Sequence, residues 1–137
     1  AFLCPGTGGE AGDPVLTELY GRLAQWLTVE GFTVYAEDAV PPEAAFPFLT
    51  LRIEPALSPC EAGCVTLTSW HRSSASHADR LAAADALCAL APRGGLRLVL
   101  QRGLAVLFPP EAPASWQKSQ EALGVSLRFR LLCCPCP

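Results

Sequence analysis

The chain has 137 residues, 50% of them hydrophobic and 17% charged, which is enough apolar material for one domain with a buried core. Its formal net charge of -3 shows no excess of basic residues, so the composition disfavours a protein that binds nucleic acid. No apolar run approaches the roughly 20 residues that span a bilayer, so we expect a soluble chain without membrane contact.

The chain opens with a segment that predicts no fixed structure. Residues 1–12 are rich in glycine and small side chains, so we expect a flexible arm ahead of a single domain over residues 13–137. Asp13 and Pro14 then predict a helix start, because aspartate can cap free amides and proline suits the first helical position. Apolar side chains recur every three or four positions until Gly31, where the helix should end.

Strands are predicted to follow this helix. Residues 32–35 read F-T-V-Y and predict a short strand, and residues 48–54 alternate apolar and polar side chains. An acidic, proline-bearing loop over residues 37–43 separates them. Residues 65–68 alternate in the same way and predict a third strand.

A second helix is predicted from a capping box formed by Ser76 and Asp79, with residues 71–76 as the connection from the third strand. Residues 96–100 and 104–108 are apolar strands around Gly103, and a proline-rich loop covers residues 109–114. The last strand begins near Val125, where apolar and polar residues alternate most regularly.

This order of elements predicts an α+β fold. We expect an antiparallel or mixed β-sheet with two α-helices packed on one face, in the order α-β-β-β-α-β-β or with one further strand at the end.

The segment between the third strand and the second helix raises the question of catalysis. A hydrolase would need Ser73, Ser74 or Ser76 as nucleophile and His71 or His77 as base. Residues this close in sequence rarely face one another across a catalytic gap, and the chain has no G-x-S-x-G elbow. Capping explains the serines, so we expect no enzyme, no catalytic residue and no cofactor.

The seven cysteines leave two interpretations open. Residues 60–64 read C-E-A-G-C and residues 133–136 read C-C-P-C, and together they suggest a zinc site. The spacing departs from the paired CxxC of zinc fingers, and an odd count does not suit a disulfide framework. We expect reduced, partly buried thiols and no metal, with zinc as the alternative.

Five residues are candidates for a subunit or partner interface. Glu37 and Asp38 lie in the acidic loop, where an exposed charged loop is favoured over an acid–base pair or a cation site. Arg128 and Arg130 point outward from the last strand, where such a row is either solvated or part of an ion-paired protein interface. Trp116 follows a proline-rich loop, as interface anchors do, or it covers the edge of the core.

The sequence of elements resembles the bacteriophage tail terminator, or tail completion, proteins. The residues that carry the resemblance are the helix from Asp13, the Val34-Tyr35 strand with its acidic Pro-Pro loop, and the strand ending in Thr68-Ser69-Trp70 before an Ala- and Leu-rich helix. The chain also closes on a long strand over residues 123–132. The resemblance does not explain the cysteine-rich tail or the hairpin over residues 96–108.

The resemblance implies a structural virion protein that is neither an enzyme nor a cofactor binder. Members form a hexameric ring that terminates the tail tube and joins it to the head connector or a head-completion protein. DNA would pass through such a ring without specific binding, and the subunit would be assembled in the host cytoplasm and located in the tail or neck of the virion. A head-tail connector, another minor tail subunit and a small-ligand-binding domain or enzyme remain as alternatives.

Overall fold

The computed structural model describes residues 14–54, 63–101, 103–110, 113–119 and 121–135. The helices are α1 (Pro14–Val29) and α2 (His77–Cys88). The strands are β1 (Val34–Ala36), β2 (Phe48–Glu54), β3 (Gly63–Arg72), β4 (Leu96–Leu100), β5 (Gly103–Phe108), β6 (Ser115–Lys118) and β7 (Ala122–Pro135). The predicted arm and the predicted Asp13 cap lie outside the described residues.

Helix α1 ends as the sequence predicted. Gly31 has a positive φ of 102°, a conformation that glycine adopts without steric cost. The amide of Phe32 donates to the carbonyl of Leu27 at 3.0 Å, and the amide of Gly31 donates to the carbonyl of Thr28 at 3.0 Å. This is a Schellman motif, and it turns the chain directly toward β1.

The strands form one mixed sheet in the order β1-β2-β3-β7-β5-β4. Strand β1 is parallel to β2, and the other pairs are antiparallel. The long β7 pairs with β3 along one edge. Its other edge is shared by β6, over residues 123–126, and β5, over residues 130–135.

One face of the sheet carries the core. Alternate residues of the two central strands, including Val65, Leu67 and Phe129, are buried there against Leu23 of α1 and Leu87 of α2. Helix α1 contacts β1 and β4, which lie at opposite ends of the strand order, because the sheet curls around it. The predicted α+β class with a two-helix layer is confirmed.

Two local predictions were wrong. His71 and Arg72 belong to β3, where they pair with Leu123 and Ala122 of β7, so the connection to α2 begins only at residue 73. Strand β6 adds a fourth strand after α2. Its four residues are all exposed and show no apolar alternation, so no local pattern marked it.

The Ser76 cap was predicted correctly, since its hydroxyl accepts a hydrogen bond from the amide of Asp79 at 3.1 Å. Neither α1 nor α2 has the length and apolar character needed to cross a membrane.

Candidate functional site

The sheet face opposite the helices, called the open face below, carries most of the polar side chains of β2, β3 and β7. The register places Thr50 of β2, Thr68 of β3 and Ser126 of β7 side by side in one cross-strand row. The next row begins with Arg52 and ends with Arg128, with Thr66 between them. Hydroxyl side chains from three strands therefore lie together although they are far apart in sequence.

Trp70 lies across these strands. Its indole Nε1 donates to Thr50 Oγ1 at 3.1 Å on the β2 side. On the β7 side its benzene ring rests above Gly124, where an added Cβ would lie 2.9 Å from Trp70 Cζ3 and 3.1 Å from Thr68 Cγ2. The glycine is needed because any side chain there would occupy the space of the indole.

The hydroxyls beside Trp70 are connected to one another. Thr68 Oγ1 and Ser126 Oγ are 2.7 Å apart and share a hydrogen bond. Ser126 Oγ also accepts from the side-chain amide of Gln117 on β6. A buried hydroxyl row of this kind fixes the side chains in place, because each rotamer is tied to its neighbour.

Thr66 differs from its neighbours because its hydroxyl is not bonded. Only 5% of the residue is exposed, and its Oγ1 has no hydrogen-bond partner among the described residues. A buried polar atom without a partner costs about 1–3 kcal/mol. The hydroxyl thus retains both its donor and its acceptor capacity within the sheet face.

A cavity of about 450 Å³ opens over these residues, and it is called the hydroxyl cavity below. It is lined by Glu37, Val40, Phe46, Phe48, Thr50, Arg52, Thr66, Thr68, Trp70, Gln117, Ser119 and Ala122. The segment between β1 and β2 forms one wall through Val40 and Phe46. At the rim, Arg52 Nη1 lies 3.5 Å from Glu37 Oε1, so the two charges largely cancel.

A charged band borders the cavity toward the far end of β7. Arg128 Nη2 lies 3.7 Å from Glu54 Oε1 and 3.2 Å from Cys64 Sγ. The guanidinium of Arg130 lies 4.7 Å from the ring centroid of Phe108. Both arginines lie on the open face, as their alternation predicted. The ion pair between Arg128 and Glu54 is exposed, so it adds little stability.

Beyond this band the open face becomes apolar. Cross-strand pairing places Val99 opposite Leu104, and Val106 opposite Leu132. Together with Phe108 these side chains form the apolar patch, which lies at the β4 end of the sheet beside the exposed Arg97, the cross-strand partner of Val106. Val99 is 68% exposed, and the other four are partly exposed.

The two remaining interface candidates from the sequence lie elsewhere. Asp38 lines a second, groove-shaped cavity of about 560 Å³ between α1 and β2, together with Glu37, Leu16, Tyr20 and Ile53. Trp116 lies on the helix side of β6, with its ring centroid 5.6 Å from that of His77. The guanidinium of Arg80 lies 5.6 Å from the centroid of the same ring. Even with these two contacts, 45% of Trp116 remains exposed. The structure does not gather the five candidates into one site.

The candidate catalytic residues are not brought together either. His71 is buried on the helix side, where its Nε2 lies 2.9 Å from Ser69 Oγ. Burial lowers the pKa of His71, the charge of Arg80 lowers it further, and Asp79 opposes both effects. Its partner is therefore a buried serine of the same strand, and the neutral imidazole is favoured.

Sequence reasoning missed the hydroxyl cavity. The signal was available in part, because threonine and serine occupy the outward positions of β2, β3 and β7. Only the register between strands shows that Thr50, Thr68 and Ser126 meet.

Within the described residues, no group of three His, Cys, Asp or Glu side chains lies close enough to hold a metal ion. Cys64 and Cys88 are free thiols. Cys60 and Cys136 of the suggested zinc site lie outside the described residues. No protein-family model, curated protein or solved structure matches this chain.

Proposed function

We propose that this protein is a structural subunit of a tailed bacteriophage that forms a ring, terminates the tail tube and joins it to the head connector. The apolar patch is the observation that carries the proposal, together with the resemblance of the element order to tail terminator proteins. The copy number of six and the neighbours in the particle come from that resemblance alone.

The apolar patch has the character of a subunit interface. Val99, Leu104, Val106, Phe108 and Leu132 form an apolar surface, bordered on the β4 edge by the exposed Arg97, on a sheet face that no described helix covers. Surface patches of this kind are typical of contact sites between proteins. The patch continues to β4, an end strand that is paired only with β5 among the described strands. Edge strands of this type pair readily with another chain.

A ring needs a second, different surface on each subunit, because head-to-tail contacts close a ring only through two distinct patches. The groove between α1 and β2 supplies one at the other end of the sheet. Strand β1 pairs with β2 only as far as Leu51, so Ile53 borders an edge without a described neighbour. We assign the patch of one subunit to the groove of the next, where Leu16, Tyr20 and Ile53 offer apolar contacts.

The interface candidates from the sequence fit this arrangement in different ways. Glu37 and Asp38 lie at the groove, and Arg130 borders the patch through its contact with Phe108. Neighbouring subunits would thus bring acidic and basic side chains together at the rim of the contact. Arg128 lies one row further in, and Trp116 projects from the helix side toward partners above or below the ring.

Reconstruction of an intact particle tests the proposal directly, with a closed ring of this subunit expected at the head end of the tail tube. A single copy per particle, or absence from the particle, would reject it. The position of the subunit in the reconstructed particle also distinguishes a tail terminator from a head-tail connector or another minor tail subunit.

A matched pair of variants tests the interface. Val99→Lys should abolish ring assembly and tail completion, because it places a charge in the patch. The fold should be retained, because Val99 is 68% exposed. Val29→Lys is the control, because Val29 is 77% exposed at the end of α1. Equal assembly by the two variants, each with a parental circular dichroism spectrum, would remove the patch from the interface.

A further inference from the structure

We propose that the hydroxyl cavity is a binding site for a neutral saccharide of about disaccharide size. The inference does not rest on the ring assembly, which uses the apolar patch and the groove, although Glu37 and Arg52 line both the groove and the cavity. It rests on the hydrogen-bonding capacity, the charge balance and the aromatic surface of the cavity.

The unbonded hydroxyl of Thr66 indicates that the cavity is built to receive a polar group. The residue is 5% exposed, and its Oγ1 has no partner among the described residues, whereas the hydroxyls of the neighbouring row are bonded. The oxygen is itself shielded from solvent, so a ligand hydroxyl can donate to it and accept from it once the Thr66 side chain rotates about χ1 toward the cavity. Binding would therefore satisfy a group that folding leaves unpaired.

The other polar groups of the cavity favour the same ligand chemistry. Thr50 Oγ1 accepts the Trp70 indole proton and keeps its own proton to donate. Gln117 keeps its side-chain carbonyl as an acceptor after its amide nitrogen donates to Ser126. Groups that combine donors and acceptors match hydroxyls better than they match a carboxylate or an ammonium group.

The charge balance disfavours an ionic ligand. Among the described residues that line the cavity, Arg52 is the cationic side chain, and its guanidinium faces the Glu37 carboxylate at 3.5 Å. Arg72 lies outside this lining, with its guanidinium 5.7 Å from the centroid of the Phe46 ring. An anion would be opposed by Glu37, and a cation by Arg52. A neutral ligand meets neither penalty, and a vicinal diol can accept from the guanidinium while it donates to the carboxylate.

The aromatic wall supplies the apolar part of the match. Trp70, Phe46 and Phe48 line the cavity, and Trp70 is held at both ends by its bond to Thr50 and its contact with Gly124. A pyranose ring has C–H bonds on its faces and hydroxyls around its perimeter, so it suits a fixed aromatic surface beside hydroxyls. The volume of about 450 Å³ lies in the range of small-ligand sites.

Two-dimensional ¹⁵N NMR of the full chain tests the proposal, with glucose, maltose, cellobiose and lactose titrated to millimolar concentrations. We expect at least one sugar to shift the Trp70 indole resonance, assigned with Trp70→Phe, in a saturable way. Trp26 and Trp116 are internal references, because their indoles lie on the helix side. Glucose 6-phosphate and an N-acetylated, C-amidated trialanine test the anionic and peptide alternatives.

Thr66→Val removes the hydroxyl and keeps the shape, so it should weaken the apparent affinity about tenfold, the loss of one hydrogen bond of roughly 1.4 kcal/mol. Thr28→Val is the control, since Thr28 is exposed on α1 and bonds to the carbonyl of Ala24. If Thr66→Val does not fold, Ser126→Ala tests the neighbouring row of bonded hydroxyls.

Three outcomes would overturn the proposal. The first is the absence of a saturable Trp70 shift with every sugar. The second is a shift with the phosphate or the peptide only. The third is an affinity for sugar that a folded Thr66→Val variant retains in full.

Discussion

Replacing Gly124 by alanine is expected to destabilise the protein although alanine is the better residue in most folded positions. The new Cβ would lie 2.9 and 3.0 Å from Trp70 Cζ3 and Cε3 and 3.1 Å from Thr68 Cγ2. Carbon atoms pack best at about 3.5–4.0 Å, so the indole must move away by roughly half an ångström or more. Trp70 cannot move without straining its hydrogen bond to Thr50 at 3.1 Å.

The magnitude follows from three contributions. Overpacking of this kind costs about 1–3 kcal/mol, and a weakened Trp70–Thr50 bond adds up to about 1 kcal/mol. Alanine lowers the entropy of the unfolded chain, which returns about 0.4–1 kcal/mol. We therefore expect the free energy of unfolding to fall by about 1–3 kcal/mol.

Gly21→Ala is the matched control with the opposite sign. Gly21 lies in α1, and an added Cβ there meets no described atom within 4 Å apart from the adjacent residues and the backbone of its own helix. Alanine in place of a helical glycine should raise the free energy of unfolding by about 0.5–1 kcal/mol. Urea unfolding followed by circular dichroism measures both variants.

The outcome that refutes this reasoning is a Gly124→Ala variant as stable as the parent. An unshifted Trp70 indole resonance in a destabilised Gly124→Ala variant would contradict the cause, because the loss would then come from elsewhere.

Four further predictions follow from the structure. Ser76→Ala should lower the free energy of unfolding by about 0.5–2 kcal/mol through loss of the helix cap, as measured in urea. Folding lowers the pKa of His71, so between its folded and unfolded values the unfolded chain binds more protons. The stability due to neutral His71 is therefore complete above about pH 6.5 and declines as the pH falls below it, and His71→Gln should flatten that decline in urea titrations. Alkylation without reductant should label the exposed Cys88 and several of the other cysteines, as measured by mass spectrometry. Labelled duplex DNA should show no appreciable binding near 0.15 M salt, and charge reversal at Arg128 and Arg130 should impair assembly without changing that result.

Each of these has an outcome that would contradict it. Ser74→Ala is the control for the cap, since Ser74 lies in the turn before α2, and an equal loss in both variants would exclude capping. An unchanged pH profile in His71→Gln would assign the decline to another group. Stoichiometric zinc in purified protein would restore the metal alternative. Tight, salt-sensitive duplex binding that disappears without the two arginines would place them on nucleic acid.

The sequence by itself determined the elements whose signals are local. The 3.6-residue period of α1, its end at Gly31, the Ser76 cap and the alternation in β2 are all written within a few neighbouring residues. The α+β class followed from their order. The outward position of Arg128 and Arg130 also followed, because alternation fixes which side chains share a face.

Only the tertiary structure decided which side chains from different strands become neighbours. Thr68 and Ser126 bond across a separation of 58 residues, and Trp70 rests on Gly124 through a register that no local pattern contains. Strand β6 exists because the free edge of β7 pairs with it, and its own four exposed residues carry no strand signal. The hydroxyl cavity and the apolar patch depend on the same pairings, since strand register is selected by the packing of the whole sheet against its helices.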